Sequence, residues 1–277
     1  ALLRDDEVDA VYIALANDVH AQWAIAAMRA GKHVLCEKPL AMNAAQVREM
    51  AAVADETGML LVEASWYRWH PRVRRAQEEL AAGRIGPVRH VAAGFTFAGQ
   101  LAGNYRLEVE RGGGALYDVG CYAVSAALWA FGSVPRDVTA RQQLAPTGVD
   151  LVTEAVLEFD GGEAEIRAGI SEPPHQWLVI TGEGGELEFR DAPYTSWRDD
   201  ETVLLVSDGQ ATQRETFAAV DPYRVMVEEV SGALRGGTGW TLPLAESLAT
   251  AAVLDAAFAS ARAGGSPVTV ESVHTTG

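Results

Sequence analysis

Short, continuously apolar runs alternate with helix-spaced patterns over the first third of the chain, the pattern of strands covered on both faces by crossover helices. Residues 10–16 (AVYIALA) read as the first of these buried strands. A helix follows over about 19–30, with Asn17 or Asp18 available as N-cap and Gly31 just beyond its end. Residues 33–36 form a second strand. The next helix runs from Asn43, whose capping role Gln46 supports three residues on, to Gly58, and 59–64 read as a third strand. The order is βαβαβ, and right-handed crossovers make its sheet parallel.

From Val88 onward the period shortens to two. Ala164, Ile166, Ala168 and Ile170 point one way, and Glu163, Glu165 and Arg167 the other, so one face is wet. The run 151–159 is joined to this strand through Asp160, Gly161 and Gly162, a connection typical of an antiparallel hairpin. Further strand-like runs lie at 177–181, 187–190, 203–207 and 213–217. Two helices close the chain near 222–235 and 243–262, each with a proline in its first turn. The fold class is a parallel α/β unit followed by an α+β unit on a large, mostly antiparallel sheet.

Composition narrows the partners. With 277 residues, 48% hydrophobic and 22% charged, the chain is large enough for two packed domains and too apolar to be disordered. A net charge of -16 repels phosphate backbones and anionic bilayers, which excludes nucleic acid and membrane surfaces as partners. Cys36 and Cys121 lack any CxxC spacing, so neither a disulfide framework nor a metal site is expected, and a reducing, cytoplasmic setting fits. No uncharged apolar stretch reaches the roughly 18 residues of a membrane span.

The start of the chain is unusual. Residues 1–4 read as the tail of a helix leading straight into a strand, with no GxGxxG before it. A doubly wound dinucleotide-binding fold puts that loop after its first strand, so the reading here is of a nucleotide-binding half without its first part. Weak or no NAD(P) binding by residues 1–277 alone follows as an expectation.

Two segments carry chemistry. Glu37-Lys38-Pro39 follows the second strand at the carboxyl edge of the sheet, where open α/β folds bind ligands, and Pro39 keeps Lys38 out of helical geometry. Lys38 is either a hydrogen-bond donor to a substrate oxygen or a solvated surface lysine. The second segment, 112–122 (GGGALYDVGCY), lets the backbone turn tightly before a helix that places Asp118 and Tyr122 on one face. Asp118 could equally complement the helix's positive end, and Tyr122 could equally be a core aromatic.

Together, EKP after a parallel strand and GGGxxxDxGxY further on resemble the signatures of the Gfo/Idh/MocA oxidoreductase family. The resemblance extends to ANDVHAQWAIAAMRAGKHVLCEKPLA (16–41), EASWYRWHP (63–71) and the DPYRVMVEEV segment from Asp221, and so covers nearly the whole chain. It implies an N-terminally truncated Rossmann domain over 1–66 and a C-terminal α+β domain over 67–277. The open sheet of that second domain would build a homo-oligomer, a dimer or tetramer. By the resemblance Lys38 is the catalytic lysine, Asp118 orients substrate or neighbouring groups, and Tyr122 is the acid/base. Tyrosine at this last position, where many members carry histidine, resembles the branch of glucose-fructose oxidoreductase, dihydrodiol and xylose dehydrogenases and deoxysugar ketoreductases. Leu15, Asn17 and His20 are implied to contact the nicotinamide half of NAD or NADP, with Glu37 and Lys38 beside its ribose. A local hydrogen bond is the other reading of His20.

A free phenol titrates near pH 10, so Lys38 is expected to lower the pKa of Tyr122. The segment Trp66, Tyr67, Arg68, Trp69, His70 forms an aromatic, polar cluster of a kind that suits a ribose or polyol ring; core packing is the leading reading of the tryptophans, with ligand stacking as the alternative. Arg68 is assigned to cofactor contact and Arg106 to substrate contact, with surface ion pairing as the alternative for both. The resulting expectation is an NAD(P)-dependent oxidoreductase moving hydride between nicotinamide and a carbinol or carbonyl carbon of a sugar, polyol or cyclic diol. A non-catalytic dinucleotide or sugar sensor is the alternative.

Overall fold

A computed structural model of the protein describes residues 2–99, 103–199 and 201–271. The N-terminal unit is β1 (Ala10–Ile13), α1 (His20–Arg29), β2 (His33–Glu37), α2 (Ala44–Thr57) and β3 (Leu61–Ala64), with the strands parallel in the order β1-β2-β3. Asn43 caps α2 as its sequence suggests: its side chain accepts from the Gln46 N–H at 2.9 Å, while the Gln46 side chain accepts from the Met42 N–H at 3.0 Å. Gly58 closes that helix in the left-handed conformation, φ 67°.

Two sequence expectations fail here. Neither Asn17 nor Asp18 caps the first helix, because Asn17–Val19 form a 3-10 turn and no side chain caps α1. The Asn17 amide is used elsewhere, donating to the Gly112 carbonyl at 2.8 Å. Nor is β1 a buried strand. Among the described residues it pairs only with β2, and within it Ala10 and Tyr12 are exposed and Ile13 alone is buried.

The second unit begins with α3 (Pro71–Ala81) and β4 (Val88–Ala98), and reaches α4 (Cys121–Phe131) through the glycine segment. Then follow β5 (Asp137–Leu144), β6 (Asp150–Phe159), β7 (Gly162–Gly169), β8 (Ser171–Gly182), β9 (Glu186–Arg190), β10 (Thr202–Ser207) and β11 (Thr212–Phe217). Helices α5 (Pro222–Leu234) and α6 (Leu244–Arg262) precede a short β12 (Val268–Thr269). The nine-stranded sheet runs β11-β10-β9-β8-β4-β7-β6-β5-β12 and is antiparallel except between β4 and β7. One face, with Val91, Ala93, Leu157, Ala164 and Ile166 buried, packs against α4 and α6. On the other face Trp177 lies across Gly94, so close that a Cβ there would meet the indole at 2.1 Å.

The helical run Val109–Phe131 and helix Leu244–Arg262 are long and apolar enough by composition to cross a membrane, although charged residues interrupt both. Their apolar windows are 89% and 61% buried within the protein, as in core helices.

One buried cation shapes the wall of the later cleft. Arg72 of α3 is fully buried, donates to the carbonyls of Arg190 and Val203 at 3.3 Å each, and also bonds the Pro193 carbonyl and the Ser196 hydroxyl. It thereby ties the end of β9, the loop after it and the start of β10 to one helix. Replacing it strands several buried acceptors. Arg72→Met is expected to lower the unfolding free energy by about 3 kcal/mol or more, read from urea denaturation.

Candidate active site

The carboxyl ends of β1 and β2 face the second unit across a cleft of about 810 Å3. Leu15, Asn17, Glu37 and Lys38 line it from the parallel sheet, and Phe95, Arg106, Asp118, Tyr122, Trp197 and Tyr223 from the other side. Clefts of this size at the carboxyl edge of parallel strands are where α/β folds hold their ligands.

The glycine segment is what lets the second unit approach. Gly112 has φ 73°, and a Cβ there would press on Met42 Sδ at 2.4 Å and Asn17 Cβ at 2.8 Å. At Gly113 a Cβ would meet the Arg106 carbonyl at 2.5 Å. Gly114 has φ 109°, and its Cβ would lie 2.0 Å from an Asp150 carboxylate oxygen. Asp150 accepts from the Leu116 N–H at 2.8 Å and from the Thr153 hydroxyl, and so serves the orphan donors at the start of the helix. That helix opens with a π-helical turn, Leu116–Gly120, before the regular α4. Asp118 sits in the turn and Tyr122 in α4.

Lys38 meets both. Its ammonium donates to the Asp118 carbonyl, lies 3.7 Å from Asp118 Oδ1 and stands 4.7 Å from the centre of the Tyr122 ring. The Lys38–Pro39 peptide is cis. Arg106 Nε donates to Asp118 Oδ2 at 2.6 Å, so the carboxylate bridges two cations. Burial pushes the Asp118 carboxyl up, but the Lys38 charge and the bonded Arg106 outweigh it and hold the group below its ordinary value. Burial pulls the Lys38 ammonium down, yet Cys121, Asp118, Glu37 and Tyr105 leave its pKa raised.

The phenol differs from expectation. Lys38 faces the ring of Tyr122, and burial pushes the hydroxyl well above its usual pKa instead of below it. Trp66 Nε1 donates to that hydroxyl at 2.7 Å and pulls the other way without prevailing. An indole N–H can only donate, so the phenol oxygen accepts this bond and its own proton remains free for another acceptor.

Two assigned residues are elsewhere. His20 is fully buried, with Nδ1 3.0 Å from the Pro39 carbonyl and Nε2 3.1 Å from the Leu15 carbonyl; both ring nitrogens face backbone acceptors, to one of which a neutral imidazole donates, and the residue does not line the cleft. Arg68 is 1% exposed and bonds Glu246 Oε2 behind Lys38, away from the cleft. Its burial leaves no surface for a cofactor. Leu15, Asn17, Glu37 and Arg106 do line the cleft.

Among the lining residues, sequence reasoning did not assign Trp197 and Tyr223, and it read Trp66 chiefly as core. Trp66 stacks on Tyr223 at 5.0 Å and meets the edge of Trp197 at 5.6 Å. Glu37 accepts from the Tyr12 hydroxyl. Asp150 gave no sequence signal, since its partner lies 34 residues away.

Known proteins share this fold. An oxidoreductase family model, NAD-binding Rossmann fold, matches residues 1–65, and a Gfo/Idh/MocA C-terminal domain model matches residues 73–188. D-xylose 1-dehydrogenase (NADP(+)) 2 of Haloferax volcanii is 36% identical over 266 residues, covering 95% of this chain and 81% of that protein. Trans-1,2-dihydrobenzene-1,2-diol dehydrogenase of Xenopus laevis is 40% identical over 224 residues, 80% of this chain and 66% of that one. The crystal structure of a 3-ketoreductase from Actinomadura kijaniata with NADP and TDP-benzene superposes with a TM-score of 0.84 at 30% identity, covering 94% of this chain and 80% of that chain. The chain belongs to the Gfo/Idh/MocA family. It is an NAD(P)-dependent oxidoreductase of that family.

The depressed Asp118 pKa has a signed consequence. A carboxylate whose folded pKa is lowered adds stability that is present above its unfolded value, about 3.9, and lost as pH falls through the folded value. Asp118→Asn is therefore expected to be less stable than wild type at pH 7. The difference should close on acidification below about pH 4, measured by thermal denaturation across pH.

Proposed function

We propose that the cleft moves hydride between nicotinamide and a carbinol or carbonyl carbon of a sugar, polyol or cyclic diol, with Tyr122 as acid/base and Lys38 as the cation beside it. The observation that carries this reading is the meeting of the Lys38 ammonium and the Tyr122 ring at the cleft floor, with Asp118 fixing the ammonium. Leu15, Asn17 and Glu37, at the carboxyl edge of the parallel strands, suit the nicotinamide half of NAD or NADP, which supplies the hydride chemistry when bound. The xylose, dihydrodiol and ketosugar activities of the relatives match a pocket whose walls are aromatic, Trp66, Phe95, Trp197 and Tyr223, and whose floor carries charge.

A buried phenol that keeps its proton is a donor. Tyr122 gives its proton to a carbonyl oxygen in the reductive direction and is reprotonated from the medium; in the oxidative direction it must first lose its proton to the medium, and the phenolate then takes the proton of the carbinol. Lys38 and Arg106 add positive charge where the oxygen becomes negative. The oxidative rate is accordingly expected to climb through the alkaline range while reduction stays flat near neutrality.

The open sheet face supports a homo-oligomer. Trp177, Ala92 and Val156 make an apolar centre ringed by Arg141, Glu154, Glu165 and Arg167, the composition of an interface core and rim. The two cysteines, Cys36 and Cys121, are buried and free, in keeping with a cytoplasmic setting.

Two measurements check these proposals. NAD(P)H turnover by the full-length gene product, assayed over aldoses, polyols and cyclic diols, should fall by about 100-fold or more in Tyr122→Phe and in Lys38→Ala. Rates equal to wild type in both would remove the assigned roles, and tight nucleotide binding without turnover would favour a sensor. Trp177→Arg should shift sedimentation to the monomer while leaving the fold intact.

A further inference from the structure

Behind Lys38, on the side away from the cleft, lies a small closed cavity bordered by Lys38, Glu63, Arg68, Cys121, Ser125 and Glu246. It has room for roughly one water. Glu63 reaches it from β3, where it pairs in register with Cys36 of β2 and is almost wholly buried. Its Oε1 accepts from the Leu40 N–H at 3.1 Å, two residues beyond Lys38. A carboxylate without solvent needs a compensating charge, and the cations that share its cavity are Lys38 and Arg68. Burial raises its pKa, and the Ser247 hydroxyl, the Leu40 N–H, Lys38 and Arg68 act against that rise without cancelling it. Arg68 is bonded to Glu246, and Lys38 is the other cation that borders the cavity.

We propose that Glu63 is a positioning residue for Lys38: across the water-sized cavity its carboxylate holds the ammonium from behind, and through Leu40 it fixes the backbone that carries it. The consequence for catalysis rests on the reading of Lys38 above, whereas the electrostatic coupling does not. The groups facing Lys38 are Glu37 from its own strand, Asp118, Cys121 and Tyr122 from the glycine-led helix, Tyr105 from the preceding loop, and Glu63 from β3. Arg106 acts on it through Asp118, and Arg68 with Glu246 closes the cavity. Removing the Glu63 charge takes away one attraction for the protonated amine, so Lys38 must lose its proton at lower pH.

The chain holds only two lysines, Lys32 and Lys38, which makes the test selective. Lysine-specific 15N labelling gives two Nζ resonances, and Lys32, bonded to the Asp5 carbonyl, is the internal control. In Glu63→Gln the Lys38 signal is expected to begin titrating about one pH unit earlier than in wild type, with Lys32 unmoved. Glu63→Asp, which keeps the charge but withdraws it, should give a smaller shift of the same sign and carries the test if the glutamine variant does not fold. A Lys38 titration unchanged in a folded variant overturns the proposal. Kinetics separate the two readings: Glu63→Gln should lower kcat about tenfold with little change in KM. If Lys38→Ala proves fully active while the Nζ shift is present, the catalytic reading fails and the coupling stands.

Discussion

The two units are joined through a buried ammonium. Lys38 leaves β2 at the edge of the parallel sheet and ends against Asp118 and Tyr122 of the second unit. A cation so placed is costly unless the charge facing it is well fixed, and Asp118 is fixed from the far side by Arg106. Neither unit alone supplies the pair. Other bonds make the same junction rigid: Asn17 to the Gly112 carbonyl, the Tyr117 hydroxyl to the Met42 carbonyl at 2.6 Å, and the Ala44 N–H to Asp255 at 2.9 Å. The three glycines permit an approach that any side chain at 112, 113 or 114 would block.

The same junction sets the proton chemistry. A cation over the face of an aromatic ring interacts with its quadrupole and does not bond the hydroxyl oxygen, which explains how Lys38 can touch Tyr122 without drawing off its proton. Trp66 donates to the phenol oxygen and fixes its direction. The stack of Trp66 on Tyr223 then links that direction to α5, so the DPYR segment contributes to the cleft through Tyr223.

Local signals in the sequence proved readable and distant ones did not. The βαβαβ order, the Asn43 cap with its Gln46 partner and the hairpin through Gly161 each depend on neighbours along the chain. Helix α3 escaped notice because its buried positions include Arg72 and Glu79, which break the apolar stripe. Strand β5 (DVTARQQL) is mostly polar on one side and half-exposed on the other. In the cleft, Lys38, Asp118 and Tyr122 were visible as residue types at given spacings. The roles of Trp66, Asp150 and Glu63 depend on partners far along the chain, and no periodicity reports those. Arg68 and His20 carry chemistry that suits ligand contact, and only burial shows them set instead against Glu246 and against backbone carbonyls.

Of these two, His20 touches the segment 37–42 directly. Loops at ligand sites are usually the mobile parts of a fold. This one is bonded almost residue by residue: Glu37 Oε2 to the Lys38 N–H, His20 to the Pro39 carbonyl, Glu63 to the Leu40 N–H, and Gln46 and Tyr117 to the two backbone groups of Met42. Arg68 and Glu246 close the space beneath it. An ammonium carried on such a segment has little freedom to reorganise when charge develops on a bound oxygen, and a preformed field of this kind is what lowers a barrier in a site shielded from water. The buried His20, set against the Pro39 carbonyl, is thus one of the groups that hold still the segment presenting Lys38.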